Sequence, residues 1–161
     1  MKKHLLFIVA LLAPVTGMAT TSEAKEGKEV QCLAMNVYHE ARGEPHEGQL
    51  AVAYVTMNRV ANPRYPKSVC EVVWQGGQFS WTKDDVTDKP VESRAWERAK
   101  RIARFVYENY ERLSTIAKGA TDPSRGALSY YAYKKVNPNW ARTMVATTQI
   151  GSHLFMKEDN S

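Results

Sequence analysis

An apolar segment that follows two helix breakers is the feature that most constrains how this chain folds. Residues 46–60, HEGQLAVAYVTMNRV, place apolar side chains on most sides of a predicted helix, so that helix needs neighbours all around it. Just before it, Gly43 suits the position after a helix C-terminus and Pro45 suits the first turn of a new helix. A preceding helix over about 29–42 repeats apolar residues at i, i+3, i+4 and i+7. The sequence therefore predicts a buried helix packed on an amphipathic one.

The rest of the chain adds shorter elements and one long helix. In chain order, the patterns predict a helix over 68–75, a turn into a short strand over 76–82, a helix over about 91–118, and strand content within 127–133 and 147–157. Between the last two lies a predicted loop over 134–142 with a Trp140 that looks buried. The predicted class is α+β, mostly helical with a small β-sheet.

The first 19 residues have the layout of a signal peptide. A basic MKK is followed by the apolar run LLFIVALLAPV and by TGMA, whose small residues favour cleavage after Ala19. An uncleaved N-terminal anchor is the alternative. Residues 20–28 are polar and predict a flexible lead-in, which leaves 29–161 as one domain. We therefore expect export to the periplasm or cell envelope, without a stable membrane anchor after cleavage.

Charge and cysteine content agree with an exported protein. The net charge is +5, and without Lys2 and Lys3 it becomes +3, with 20 basic and 17 acidic residues. A mildly basic protein suits an anionic polymer such as a cell wall, whereas charges mixed along the helices argue against nucleic acid. Cys32 and Cys70 are the cysteines of the chain. In an exported protein two cysteines predict one disulfide, and two buried thiols are the alternative.

Glu40 is the strongest candidate for chemistry. It follows Leu33 by seven residues and Val37 by three, so helical geometry returns it to their apolar face in the last turn of the helix. Apolar surroundings and the negative end of the helix dipole both raise a carboxyl pKa, as a general acid requires. His39 and Arg42 would lower that pKa if they came close. The alternative is a solvated charge at a helix end.

Other chemistries have weaker support. A zinc motif H-E-x-x-H beginning at His39 would need a histidine at position 43, which is Gly43. His39 and His153 could still meet in space, but we predict no metal and no cofactor. The serines lack the G-x-S-x-G pattern of a nucleophile elbow. The cysteines lack a papain-like signature.

Several sequence blocks resemble one known family. CLAMNVYHEARGEPHEGQLAVAYVTMNRV, SVCEVVWQGGQFSWT, VNPNWAR and IGSHLF are similar, in this order and at this spacing, to the SleB-like cell wall hydrolases, the spore-cortex-lytic enzyme group. The resemblance covers about 30–157. It implies a lysozyme-like α+β fold and cleavage of peptidoglycan glycan strands between N-acetylmuramic acid and N-acetylglucosamine, by a lytic transglycosylase. The family's catalytic acid/base falls on Glu40.

The resemblance also implies roles for further residues. Those expected to bind the sugar chain are Gln78, Ser80, Trp81, Tyr130, Tyr131, Trp140 and His153. Core packing is the alternative for the aromatic residues, and a semi-buried structural role for the histidine. Arg42 is expected to orient Glu40 or to cap the helix. Glu44 is expected to be a structural charge at the start of the next helix, and its reach into the cleft stays open. A hydrolytic muramidase and a catalytically silent wall-binding protein are the alternative functions.

Overall fold

The computed structural model describes residues 21–82, 88–116 and 120–159. These residues form four α-helices, α1 (Thr21–Ala41), α2 (His46–Ala61), α3 (Val69–Val73) and α4 (Ser93–Ile116), and three strands, β1 (Ser129–Ala132), β2 (Met144–Ile150) and β3 (His153–Glu158). Short 3-10 helices occupy Ser80–Thr82 and Asn139–Thr143. The predicted signal peptide lies outside the described residues. Within the described ranges no helix is long and apolar enough to cross a membrane.

Helix α2 is buried along most of its length, as its composition predicts. Its side chains from Ala51 to Met57 are all shielded from solvent, and it packs against α1, α3 and α4. The turn before it is tight: Glu44 N donates to Ala41 O at 2.9 Å, and Gln49 Nε2 donates to Glu44 O at 2.8 Å. The predicted boundary between the two helices is confirmed.

The long helices differ from prediction mainly at their ends. Helix α1 begins at Thr21 rather than near 29, so the segment predicted as a flexible lead-in is helical from that residue onward. Residues 22–28 are exposed, and five of the seven are Ala, Glu or Lys, residue types with high helix propensity. Helix α4 turns Ala95, Ala99 and Ile102 toward the core. The predicted end of this helix, at 118, lies outside the described residues.

The sheet is antiparallel, with strand order β1-β3-β2 among the described residues. The stretch predicted as strand over 147–157 is a hairpin that turns at Gly151 and Ser152, where Gly151 has φ +57°. Tyr130 pairs with Phe155, and Ala132 pairs with His153. Since side chains alternate across a strand, these residues lie on one face of the sheet.

Two local predictions are wrong. Residues 76–82 do not form a strand: Gly77 has φ +87°, the chain turns there, and a 3-10 helix follows at Ser80–Thr82. Trp140 is 42% exposed rather than buried, because it lies in the 3-10 helix at the outer edge of β2. Both errors arise where a turn redirects the chain.

In the part of the chain that the structure describes, the core consists of two clusters of buried apolar side chains. The larger one joins α1, α2, α3 and α4 and includes Leu33 and Val37. The smaller one joins α2 to the sheet and includes Val55 and Phe155. The ring of Tyr130 packs against both clusters. The helices and the sheet therefore meet at this tyrosine.

The predicted disulfide is confirmed. Cys32 of α1 and Cys70 of α3 are bonded, with their Cα atoms 5.2 Å apart. The bond closes a loop with a sequence separation of 38 residues and ties the five-residue helix α3 to the long helix α1. A helix this short has little stability of its own, so the bridge and the apolar contacts hold it in place.

Removing this bridge should destabilise the fold. The double variant Cys32→Ser/Cys70→Ser should lose about 3 to 4 kcal/mol of unfolding free energy, because the unfolded chain regains the entropy of an open loop. Urea unfolding followed by circular dichroism measures this. The reducing agent TCEP should lower the wild-type midpoint and leave that of the variant unchanged. Equal midpoints for oxidised wild type and variant would contradict the prediction.

Candidate active site

Glu40 lies in the last turn of α1, on the face that also carries Leu33 and Val37. Both of those side chains are fully buried, and Glu40 itself is half-buried. Burial raises the pKa of the Glu40 carboxyl, and the Tyr130 hydroxyl and the Arg59 charge oppose this without cancelling it. A carboxyl group in such a place holds its proton at higher pH than a solvated glutamate does. The arrangement suits a proton donor.

Tyr130 is the hydrogen-bond partner of Glu40. Its hydroxyl donates to Glu40 Oε2 at 3.2 Å, across 90 residues of sequence. The ring lies 5.0 Å from the ring of His153 and 5.5 Å from that of Phe155, measured between centroids. Burial raises the pKa of Tyr130 well above its ordinary value, and the nearby Glu40 adds to this. Tyr130 therefore stays neutral and keeps its proton available for the bond to Glu40.

Arg59 brings a positive charge to the same place from α2. It is 5% exposed, and its Nε donates to Leu128 O at 2.7 Å. Its pKa is lowered by burial, while Tyr130, Tyr65 and Glu40 act to raise it. A guanidinium remains charged despite such a shift. The site therefore combines a carboxyl group, a phenol and a buried cation, each from a different element of the fold.

Glu44 has a different environment from Glu40. Its two carboxylate oxygens accept hydrogen bonds from Ser152, one from the backbone N at 2.9 Å and one from Oγ. Partial burial raises the pKa of Glu44, but the two Ser152 bonds and the charges of His153 and Lys135 outweigh it and hold the pKa below the ordinary value. Glu44 is thus an anion that fastens the β2–β3 turn to the α1–α2 turn.

Gly151 makes this fastening possible. A Cβ atom at this position would overlap Glu44 Oε2 and lie 2.9 Å from Pro45 Cδ. The residue also has φ +57°, a conformation that side chains disfavour. The close approach of the two turns therefore depends on the missing side chain.

Replacing Gly151 by alanine should consequently destabilise the protein by about 2 kcal/mol or more, since left-handed strain and steric overlap add. Thermal and urea unfolding measure the loss. Gly76→Ala is the matched control: a Cβ there meets nothing within 4 Å among the described residues, and its φ is not in the left-handed region. Equal unfolding free energies for Gly151→Ala and Gly76→Ala would contradict the predicted overlap at Gly151.

The 3-10 helix Ser80–Thr82 packs beside the last two turns of α1. Trp81 is 6% exposed; its ring stacks on His39 at 4.4 Å, and its Nε1 donates to Asn36 Oδ1 at 3.3 Å. His39 Nε2 in turn lies 3.0 Å from Asp88 O, to which it can donate. The side chains of Gln78 and Ser80, in the same segment as Trp81, are exposed. Their binding roles stay predictions.

Of the other predicted site residues, His153 lies close to the Glu40–Tyr130 pair, whereas Tyr131 and Trp140 do not. His153 is 7% exposed beside Tyr130, and burial lowers its pKa, helped by Lys135 and opposed by Glu44. Its Nδ1 has no hydrogen-bond partner among the described residues. Tyr131 and Trp140 form an edge-to-face pair with centroids 5.6 Å apart. Because Tyr131 follows Tyr130 in the strand, it faces the other side of the sheet, so the structure does not bring this pair to Glu40.

In the described part of the chain, the Arg42 side chain forms no hydrogen bond with Glu40, which it was expected to orient. Its Nε donates to Glu92 Oε1 at 2.9 Å, and its guanidinium lies over the ring of Tyr38. Among the described residues, the bond that orients Glu40 comes from Tyr130 instead. Arg42 Nη1 donates to His39 O at 3.5 Å, a contact that fits the capping alternative. Arg42 also links the end of α1 to the segment before α4.

Two residues near the site are absent from the sequence-based prediction. Arg59 is the single charged residue between Gly48 and Val60, and a charge inside so apolar a helix was the available signal. Trp74 is half exposed, and its ring lies 5.3 Å from that of Trp81. No pattern in the sequence sets it apart from other aromatic residues.

No group of three histidine, cysteine, aspartate or glutamate side chains in the described ranges could hold a metal ion.

Comparison with known proteins places this chain in a family. The sequence profile described as Cell Wall Hydrolase matches residues 43–156, a range that begins just after Glu40. The chain therefore belongs to the cell wall hydrolase family. It is 33% identical over 129 residues to a spore cortex-lytic enzyme of Oceanobacillus iheyensis, covering 80% of this chain and 41% of that protein. A spore cortex-lytic enzyme of Bacillus subtilis is 31% identical over 127 residues, covering 79% and 37%. The chain thus spans about two fifths of the length of these relatives.

Solved structures agree with this family. The catalytic domain of the Bacillus cereus SleB protein has a TM-score of 0.63 at 29% identity, covering 81% of this chain and 91% of that one. The catalytic domain of the germination-specific lytic transglycosylase SleB from Bacillus anthracis has the same TM-score at 28% identity, covering 90% and 100%. The expected lysozyme-like α+β class is confirmed, and so is the resemblance to the SleB-like group.

Proposed function

We propose that this protein is an exported peptidoglycan-cleaving enzyme, a lytic transglycosylase with Glu40 as its general acid and base. The observation that carries the proposal is the half-buried Glu40 carboxyl, whose pKa is raised by burial and which is held by the Tyr130 hydroxyl. Membership of the cell wall hydrolase family supports the substrate class. The name of the Bacillus anthracis structure, a lytic transglycosylase, supports the reaction class.

The proposed reaction uses one carboxyl group twice. Protonated Glu40 gives its proton to the glycosidic oxygen between N-acetylmuramic acid and N-acetylglucosamine, and the bond from the muramic anomeric carbon to that oxygen breaks. The muramic C6 hydroxyl oxygen then bonds to the anomeric carbon, and its proton passes to the Glu40 carboxylate. The products are a free hydroxyl on N-acetylglucosamine and a 1,6-anhydro-muramic end. Neither water nor a protein nucleophile is consumed.

The environment of Glu44 favours this reaction over ordinary hydrolysis. A two-carboxylate glycosidase needs a second acidic group that is free to activate water or to attack the sugar. Glu44 is the nearest acidic neighbour in sequence on the turn, but both of its oxygens accept hydrogen bonds from Ser152. A carboxylate held in this way is a poor base or nucleophile, because its lone pairs are already engaged.

Substitution of Glu40 tests the proposal. On purified sacculi, Glu40→Gln should lower the release of muropeptides roughly a hundredfold or more, because the amide cannot donate the proton. Glu47→Gln is the matched control: Glu47 is exposed in the first turn of α2, and the same change there should leave the rate unaltered. Circular dichroism verifies that both variants are folded.

Mass spectrometry of the released ends separates the alternative functions. Anhydro-muramic ends support the transglycosylase, whereas reducing muramic ends would identify a hydrolytic muramidase. If wild type binds sacculi but releases nothing, the protein is a wall-binding protein and the enzyme proposal fails.

Tyr130→Phe should change the pH dependence of the reaction. The hydroxyl stabilises the charged form of Glu40 and so lowers its pKa; without the hydroxyl, that pKa rises further. Because Glu40 must be protonated to act as an acid, activity falls as pH rises through this pKa. The high-pH limb of kcat/KM should therefore move to higher pH in the variant. Tyr107→Phe, on α4 and away from the site, should leave the limb in place, and an unmoved limb in Tyr130→Phe would contradict the assignment.

The remaining site residues and the location complete the proposal. Gln78 and Ser80 present exposed polar side chains in the segment that contains Trp81, and we assign them to N-acetyl or hydroxyl groups of the sugar chain. We assign Trp81, Tyr130 and His153 to the sugar-binding site as well. Export through a signal peptide cleaved after Ala19 agrees with the disulfide, which requires an oxidising compartment such as the periplasm.

A further inference from the structure

Arg59 is a buried charged group that has no part in the proposed proton transfer. Its guanidinium lies over the ring of Phe79 at 5.3 Å and that of Tyr65 at 5.5 Å, measured to the centroids. Its Nε donates to Leu128 O, but its Nη1 is buried without a hydrogen-bond partner among the described residues. A buried cation is costly unless a negative charge or acceptor compensates it. The free-energy cost of burying the Arg59 charge suggests that this charge has a function.

The surroundings of Arg59 identify its counter-charge. Hydrogen bonds link Arg59 to Glu40 through β1: Arg59 Nε donates to Leu128 O, and the Tyr130 hydroxyl donates to Glu40 Oε2. The charge of Arg59 also acts to lower the pKa of the Glu40 carboxyl. Leu128, which accepts the Arg59 hydrogen bond, precedes Tyr130 by two residues. One side chain thus ties α2 to the start of β1, the strand that carries the hydroxyl bonded to Glu40.

We propose that Arg59 is a positioning residue for the acid–base step: it holds β1 so that Tyr130 reaches Glu40, and its buried charge stabilises the Glu40 carboxylate that forms when the proton has left. This inference rests on the proposed function. The titratable groups that face Arg59 and Glu40 are Tyr65 from the loop after α2 and Tyr130 from β1, with His153 of β3 behind Tyr130. Burial keeps His153 less basic than usual. Arg59 is therefore the cation that responds to a charge on Glu40.

Two substitutions separate the charge of Arg59 from its shape. Arg59→Met removes both, and kcat on sacculi should fall roughly tenfold or more, with the high-pH limb of kcat/KM moved to higher pH. Arg59→Lys keeps the charge but lacks the fork that bonds Leu128, so kcat should fall while the limb stays near its wild-type position. Arg101→Met is the matched control: it removes the same charge from an exposed position on α4, and neither parameter should change.

A direct titration makes the test independent of catalysis. NMR of protein labelled with ¹³C at the glutamate side-chain carboxyl follows the titration of Glu40, whose signal is identified by its loss in Glu40→Gln. The Glu40 signal should titrate at higher pH in Arg59→Met than in wild type or Arg101→Met. An unchanged titration in a folded Arg59→Met protein overturns the role of Arg59, even if wild type is active.

The two proposals fail in different ways. If wild type releases no fragments from sacculi, the enzyme proposal fails, while a raised Glu40 titration in Arg59→Met still supports the coupling. If Arg59→Met does not fold, Arg59→Lys decides: full activity overturns the positioning role, and a moved limb overturns the charge role. Equal loss of activity in both variants with unmoved limbs means that Arg59 is only structural.

Discussion

The hydrogen bond from Tyr130 to Glu40 joins the two halves of the molecule at the place where both cores meet. The tyrosine ring packs against the helical cluster and the sheet cluster, and its hydroxyl reaches the last turn of α1. The register of β1 against β3 decides that Tyr130, not Tyr131, has this position. A slip of one residue would exchange the two faces of the strand and leave the buried carboxyl without its partner. The chemistry of the site thus depends on sheet register as much as on the helix.

Two glutamates of one turn show how environment divides roles between identical side chains. Glu40 lies among apolar groups, and burial shifts its pKa upward. Glu44, four residues later, receives two hydrogen bonds from Ser152 and has a lowered pKa. One residue holds its proton more tightly and the other less tightly than a solvated glutamate. The charged carboxylate of Glu44 fastens the α1–α2 turn to the β2–β3 turn. This contact fixes β3, the central strand, with which β1 and β2 pair.

The features that could be predicted from the sequence are local ones. The position of Glu40 on an apolar face follows from helical periodicity, and Gly43 and Pro45 indicate the end of α1 and the start of α2. The pairing of Glu40 with Tyr130 spans 90 residues and depends on how the sheet docks, which no local pattern encodes. Arg59 and the close approach at Gly151 are likewise products of packing. The prediction that Trp140 is buried is wrong because the turn in which it lies, and not its own hydrophobicity, determines its exposure.

The charge states of the site give the proposed reaction a physical basis. The proposed reaction begins with a protonated Glu40, which burial favours by raising the pKa of its carboxyl; Tyr130 is neutral because burial raises its pKa, and Arg59 supplies a buried positive charge. When Glu40 gives up its proton, the site acquires an anion next to that cation. Burial, which makes the acid hold its proton, would oppose this step on its own. In the proposed reaction the attraction to Arg59 grows as the negative charge on Glu40 develops, so we expect it to stabilise the transition state more than the ground state, which is the condition for catalysis.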